Sequence, residues 1–318
     1  MSDDLILVAL STFAEHDRRP LELLQASGHP YCIHSTGKRI TRAEILSEGA
    51  DAAVIVAGVE PYDAETLAKL PALRCISRCG VGVDAIDLAA AKERRVTVLN
   101  TPSVPTVAVA ELALAMFLAL SRNLLPQTSF MRARRWERLT AHLLQGRTVG
   151  LIGLGRIGQR VARLCSAFEA KVLAFDPLAD PVTAHSLGVE LVPCEQLLRE
   201  ADIVSLHASR IADHPFVIGT HEIATMKHGA ILVNVARGGM VDEPALLEAL
   251  RSGRLSGAGL DVFAEEPYQG PLCDFEQVIL TPHSATLPVE TRTAMEIECV
   301  RNGLRFLAGE IKPDERVV

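Results

Sequence analysis

Short apolar runs alternate with amphipathic stretches from one end of the chain to the other. Residues 5–9, 31–33, 52–56, 74–77 and 96–99 read as strands, and a second series follows at 148–152, 171–175, 189–191, 203–207, 230–235, 258–262 and 278–281. Most of these runs are apolar at successive positions, which marks strands covered on both faces by helices, as in parallel α/β sheets. Helical patterns fit the intervals. Thr41-Arg42-Ala43-Glu44 has the spacing of a capping box, and Pro61 with Asp63 opens a helix that ends before Pro71. The most apolar stretch, 107–120, is interrupted by Glu111 and is too short to span a bilayer. Its pattern predicts a helix buried all round, in a core or between subunits. Residues 289–307 form one long amphipathic helix.

The chain leaves the first strand series at Asn100-Thr101-Pro102 and turns again near Thr286-Leu287-Pro288. Two α/β domains with doubly wound parallel sheets are therefore expected. Residues 1–100 and 288–318 would form a flavodoxin-like substrate domain, with a Rossmann dinucleotide-binding domain, 101–287, inserted in it. A length of 318 residues suits two cores rather than one.

The opening of the second series carries the first chemical signal. Thr148 to Ile152 runs into Gly153-Leu154-Gly155-Arg156-Ile157-Gly158, and Asp176 closes the next strand. Gly153 suits a tight turn, Gly155 a close approach of backbone to pyrophosphate, and Gly158 a helix lying close on its strand. Asp176 is placed to accept from both ribose hydroxyls, and its charge opposes a 2′-phosphate, which favours NAD over NADP.

In open sheets ligands bind beyond the carboxyl ends of the strands. Arg237 follows one such end, Asp261 lies near the next with Glu266 just beyond, and His283 follows a third. Hydride reduction of a ketone builds charge on oxygen and needs a proton. A fixed cation (Arg237) and a titrating imidazole (His283) tuned by a carboxylate (Glu266) are the groups for that task. Each also has an ordinary reading: a surface ion pair, a loop acid, an exposed turn.

Composition narrows the alternatives. A formal net charge of −7 with only Arg132, Arg134 and Arg135 clustered gives no footprint for nucleic acid or an anionic membrane. The acidic start, Met1-Ser2-Asp3-Asp4, lacks the positive region of a secretory signal, so a cytoplasmic protein is expected. Seven scattered cysteines give no disulfide framework, and no metal site is expected, Cys75 and Cys79 lacking companions for zinc. The lone tryptophan, Trp136, is expected in a core.

Taken together, Arg78-Cys79-Gly80-Val81-Gly82-Val83-Asp84, Asn100-Thr101-Pro102, Val109-Ala110-Glu111, the Gly153 to Gly158 turn, Asn234-Val235-Ala236-Arg237-Gly238-Gly239, Gly259-Leu260-Asp261-Val262-Phe263, Glu265-Glu266-Pro267 and Thr281-Pro282-His283 resemble the D-isomer-specific 2-hydroxyacid dehydrogenases, in their phosphoglycerate dehydrogenase-like branch. The resemblance implies an NAD-dependent oxidoreductase that interconverts a small D-2-hydroxy acid and its 2-keto acid, with Arg237, Glu266 and His283 in the catalytic places. It implies that Val81 and Gly82 bind the substrate carboxylate through backbone amides, that Arg156 and Ile157 lie under the pyrophosphate, and that Asp261 meets the nicotinamide carboxamide. His207 and Ala236 belong with the cofactor contacts and Arg78 with the substrate. Domain closure would bring the 78–82 loop onto the acid. A homodimer through the NAD-binding domains is implied, with 107–120 and Arg135-Trp136-Glu137-Arg138 at the contact.

The substrates implied are 3-phosphoglycerate, or hydroxypyruvate and glyoxylate. Val56-Ala57-Gly58 stands where phosphoglycerate-oxidising members carry an arginine, leaving Arg78 and Arg138 as candidate phosphate ligands. Ser209 and His214 replace the usual proline and threonine beyond His207, and Ser284-Ala285 follows His283 where glycines are frequent. An NADH-sensing scaffold, like the corepressors that share this pattern, is the reading from another class. Formate oxidation fits less well, since formate enzymes of this type place an amide where Glu266 stands.

Overall fold

A computed structural model describes residues 4–34, 36–208 and 217–318. The chain divides into two compact units, residues 1–105 with 287–318, and residues 106–286. In the first unit β1 (Leu5–Val8), β2 (Tyr31–Ile33), β3 (Ala52–Ala57), β4 (Cys75–Arg78) and β5 (Thr97–Leu99) form a parallel sheet in the order β2-β1-β3-β4-β5. That is the flavodoxin-like order, with its switch point between β1 and β3. The apolar run of β3 serves both faces: Ile55 and Ala57 join one cluster, Val54 and Val56 the other. Each fully buried Val or Ile contributes roughly 1.5–3 kcal/mol relative to exposure, which offsets the ordering of these short strands. The Val289–Ala308 helix covers one face, placing Met295, Cys299 and Val300 among Ile6, Val8 and Cys75.

In the second unit β6 (Thr148–Ile152), β7 (Lys171–Phe175), β8 (Val189–Leu191), β9 (Ile203–Leu206), β10 (Ala230–Asn234), β11 (Leu255–Leu260) and β12 (Val278–Leu280) are all parallel. Their order, β12-β11-β10-β9-β6-β7-β8, reverses direction at β6, which creates the crevice where doubly wound sheets bind dinucleotides. The α/β fold expected from the pattern is the fold found.

Three local expectations need correction. The Thr106–Ser121 helix is not buried all round within its own chain: Ala110, Ala113 and Phe117 face the core while Val107 and Glu111 are exposed, which leaves of the two expected settings only burial between subunits. Trp136 lies outside any core, 77% exposed, because the 135–143 segment runs over the surface of its unit. Strand β11 begins three residues early and ends at Leu260, so Asp261 is the first residue beyond it. Among the described residues no single helix is long and apolar enough to cross a membrane.

Candidate functional site

The turn after β6 is built by what glycine lacks. At Gly153 (φ 99°) a Cβ would lie 2.6 Å from the Ala208 amide nitrogen, and at Gly158 one would lie 2.2 Å from the Gly153 carbonyl oxygen. The Arg156–Ala167 helix therefore starts in backbone contact with the turn. Gly155 is its N-cap, makes no side-chain cap bond and has no described residue within 4 Å of where a Cβ would stand. Backbone amides of the first helical turn, Arg156 and Ile157 among them, lack partners within the helix at such an end, and the helix dipole favours an anion there.

Asp176 stands at the end of β7, where its Oδ2 accepts from the Leu154 amide (2.8 Å) and its Oδ1 from the Leu178 amide (2.9 Å). These bonds set the carboxylate beside the glycine turn, where the expected ribose contact would be made. At the end of β9 the His207 ring shares a 2.9 Å hydrogen bond between Nε2 and the Ser205 hydroxyl, while its buried Nδ1 has no partner among the described residues. Burial pushes the imidazole down to about 3, so it is neutral. An open glycine cradle, a bare helix N-terminus, an acid at the neighbouring strand end and an orphaned buried nitrogen fit a dinucleotide. Ser209 and His214 lie outside the described residues.

Strands β10, β11 and β12 are neighbours, so their carboxyl ends gather the remaining polar residues on one edge. Asn234 ends β10, almost wholly buried; its Oδ1 accepts from the Ala236 amide (3.0 Å) and its Nδ2 donates to the Arg237 carbonyl (2.9 Å). The Arg237 guanidinium donates through Nη1 to the Ala236 carbonyl (2.7 Å). The turn continues against the Phe263 loop so closely that a Cβ on Gly238 would stand 1.7 Å from the Phe263 carbonyl oxygen. That loop carries Glu266, whose Oε1 accepts from the Phe263 amide (3.1 Å) and whose Oε2 lies 2.9 Å from His283 Nδ1.

His283 holds a left-handed conformation (φ 52°), which costs about 1 kcal/mol for a residue with a Cβ. Its amide hydrogen-bonds the carbonyls of Asp261 and Thr281, each at 2.9 Å. Asp261, buried to 1% exposure, supplies the rest of the turn. Its Oδ1 accepts from Thr281 Oγ1 (2.6 Å) and the Ser284 amide (2.8 Å), and its Oδ2 from the Ala285 amide (3.0 Å). Asp261, expected at the carboxamide, thus already braces the His283 turn with both oxygens. Asn234 and Thr281 were given no role of their own from the sequence, although both stand in the segments that carry the resemblance and each is a polar residue at the end of an apolar strand.

The expected substrate residues belong to the other unit. The Arg78 guanidinium folds back onto the Cys79 carbonyl. The loop beyond it is tied to the next strand end: the Gly80 amide donates to Thr101 Oγ1 (2.9 Å), the Thr101 amide to the Gly80 carbonyl (3.1 Å), and Asn100 Nδ2 to the Val81 carbonyl (2.8 Å).

Residues 114–285 match the model of the D-isomer specific 2-hydroxyacid dehydrogenase NAD-binding domain. A D-3-phosphoglycerate dehydrogenase of Mycobacterium leprae is 41% identical over 86% of this chain and 52% of its own length. The chain thus spans about half the length of that relative. A glyoxylate reductase of Korarchaeum cryptofilum is 39% identical over 80% of this chain and 79% of its own. The solved D-lactate dehydrogenase of Aquifex aeolicus, complexed with NAD and lactic acid, superposes with a TM-score of 0.87 at 28% identity, covering 99% of each chain. The chain belongs to the D-isomer-specific 2-hydroxyacid dehydrogenase family, and its second unit carries that family's NAD-binding domain.

Proposed function

We propose that this chain interconverts a small D-2-hydroxy acid and its 2-keto acid, with His283 as acid and base, Glu266 as its partner and Arg237 as the cation on the substrate. NAD, when bound, supplies or accepts the hydride. Arg237 holds the carboxylate and carbonyl of the keto acid in one planar fork and stabilises charge developing on oxygen. Glu266 engages His283 Nδ1, fixes the tautomer and leaves Nε2 to give a proton to the alkoxide in reduction or take it in oxidation. The Val81 and Gly82 amides receive the acid's carboxylate. The single observation that carries the reading is the 2.9 Å His283–Glu266 pair on the strand-end edge of a dinucleotide-binding sheet.

The relatives include a phosphoglycerate dehydrogenase and glyoxylate reductases, so glyoxylate, hydroxypyruvate and phosphohydroxypyruvate are the substrates to try first. The reading includes a homodimer through the NAD-binding domains. The test follows NADH consumption with each acid in wild type, Arg237→Ala and His283→Ala. Both variants should lose about 100-fold or more in kcat/KM while NADH affinity, read by fluorescence, stays within about threefold. Near-wild-type turnover in either variant would remove its assigned role, and no NADH consumption with any acid would leave a sensor of NADH.

A further inference from the structure

The helix Val289–Ala308 buries a residue that packing alone does not call for. Asn302 is completely buried on the face that covers the first sheet. A buried amide lowers stability unless its hydrogen bonds are made, and here their direction is fixed. Arg305 Nη1, which can only donate, reaches Asn302 Oδ1 at 3.1 Å, so the opposite end of the amide is Nδ2, which donates to the Asn100 carbonyl at 2.9 Å. Arg305 is itself held by Glu298 (2.8 Å) and Glu315 (3.0 Å). One turn earlier on the same helix the Ser77 hydroxyl donates to the Cys299 carbonyl (2.7 Å) and the Cys299 thiol to the Ser77 carbonyl (2.9 Å). The helix is thus bolted to β4 at Cys299 and to the end of β5 at Asn302.

The second bolt bears on the loop that would receive the substrate. Asn100, gripped at its carbonyl by Asn302 and at its amide by the Glu315 carbonyl (2.9 Å), passes its own side chain on to the Val81 carbonyl. Its neighbour Thr101 holds both the amide and the carbonyl of Gly80. The peptide whose carbonyl Asn100 holds is the one that presents the Gly82 amide, so any rotation of Asn100 turns that donor.

We infer that Asn302 is a positioning residue: through the Asn100 backbone it fixes the Val81–Gly82 peptide in the orientation that binds the carboxylate of a 2-keto acid. This rests on the reading of that loop as the carboxylate site. Asn302 touches neither substrate nor cofactor, so its effect is on keto-acid affinity.

The test compares wild type with Asn302→Asp, which keeps the size and the Arg305 contact but loses the donor, and with Asn100→Ala, which cuts only the last link. Each should raise KM for the keto acid about five- to tenfold, the worth of one positioning hydrogen bond, with kcat and NADH affinity within about twofold. The double variant should raise KM by less than the product of the single effects. Deuterium exchange of the 79–83 peptide should quicken in Asn302→Asp without any substrate present. Unchanged KM and unchanged exchange, with only a lower melting temperature, would reduce Asn302 to a packing role and overturn the inference. A rise in KM for Asn100→Ala but not for Asn302→Asp would overturn the link through the helix. Absence of wild-type turnover on every acid would instead overturn the dehydrogenase reading on which the inference rests.

Discussion

His207 shows how a single residue ties the cofactor cradle to pH. Its ring is pushed from 6.5 to about 3 by burial, so the unfolded chain binds this proton more readily than the folded one. Stability is then intact above the unfolded value and falls as pH drops from about 6.5 towards 3. Between about pH 7 and about pH 5 wild type should lose on the order of 1–2 kcal/mol more than His207→Asn, measured by urea unfolding at both values. Equal losses in the two proteins would show that His207 takes up its proton without unfolding. Asp176 yields a second residue-level expectation. On the reading of Asp176 as the ribose ligand, replacing it with Ser removes the charge opposing a 2′-phosphate, so the ratio of kcat/KM for NADPH over NADH should rise at least about tenfold. The candidates for the proposed chemistry could be picked from the sequence because an imidazole and a guanidinium each follow a recognisable strand, with a carboxylate a few residues beyond another. The bracing was not: whether an acid such as Asp261 serves a ligand or three groups of its own turn depends on where loops meet.

At the scale of elements, the glycine turn converts a backbone approach into a prediction. Ala at position 158 would put a methyl 2.2 Å from the Gly153 carbonyl, which no rotamer can relieve. Gly158→Ala should therefore lower stability by about 2 kcal/mol or more and abolish NADH binding, read by thermal unfolding and fluorescence titration. Normal NADH binding in this variant would mean that the helix start tolerates displacement. Strands such as β3 and β10 were legible because burial on both faces demands apolar residues at successive positions, which β3 keeps throughout and β10 keeps up to Asn234. The start of β11 was missed because Leu255-Ser256-Gly257 reads as a turn, although Leu255 pairs with Ala230. The Leu124–Arg132 helix was missed too: Pro126, Gln127, Thr128 and Ser129 mask its period, and Asn123 enters it at φ 51°.

For the whole molecule, the question is what covers the surface of the 124–143 segment. Leu124, Leu125, Met131, Trp136, Leu139 and Leu143 are all exposed there, Leu143 to 63%. The backbone beneath them is held in place, with Asn123 Nδ2 on the Thr140 carbonyl (2.8 Å) and the His142 amide on the Ser121 carbonyl (2.9 Å). Large apolar side chains concentrated on a segment with a fixed backbone mark a protein interface, and aromatic residues dominate the energetics of such surfaces. The adjoining Thr106–Ser121 helix leaves Val107 open as well. These observations support the proposed homodimer, in which each NAD-binding domain presents this segment to its copy. Light scattering should give about twice the 34.3 kDa chain mass for wild type and a single chain mass for Trp136→Glu combined with Leu143→Glu. Both changes lie at exposed positions, so the double variant should fold and bind NADH. A monomeric wild type would refute the dimer, and an intact dimer in the double variant would place its interface elsewhere on the chain.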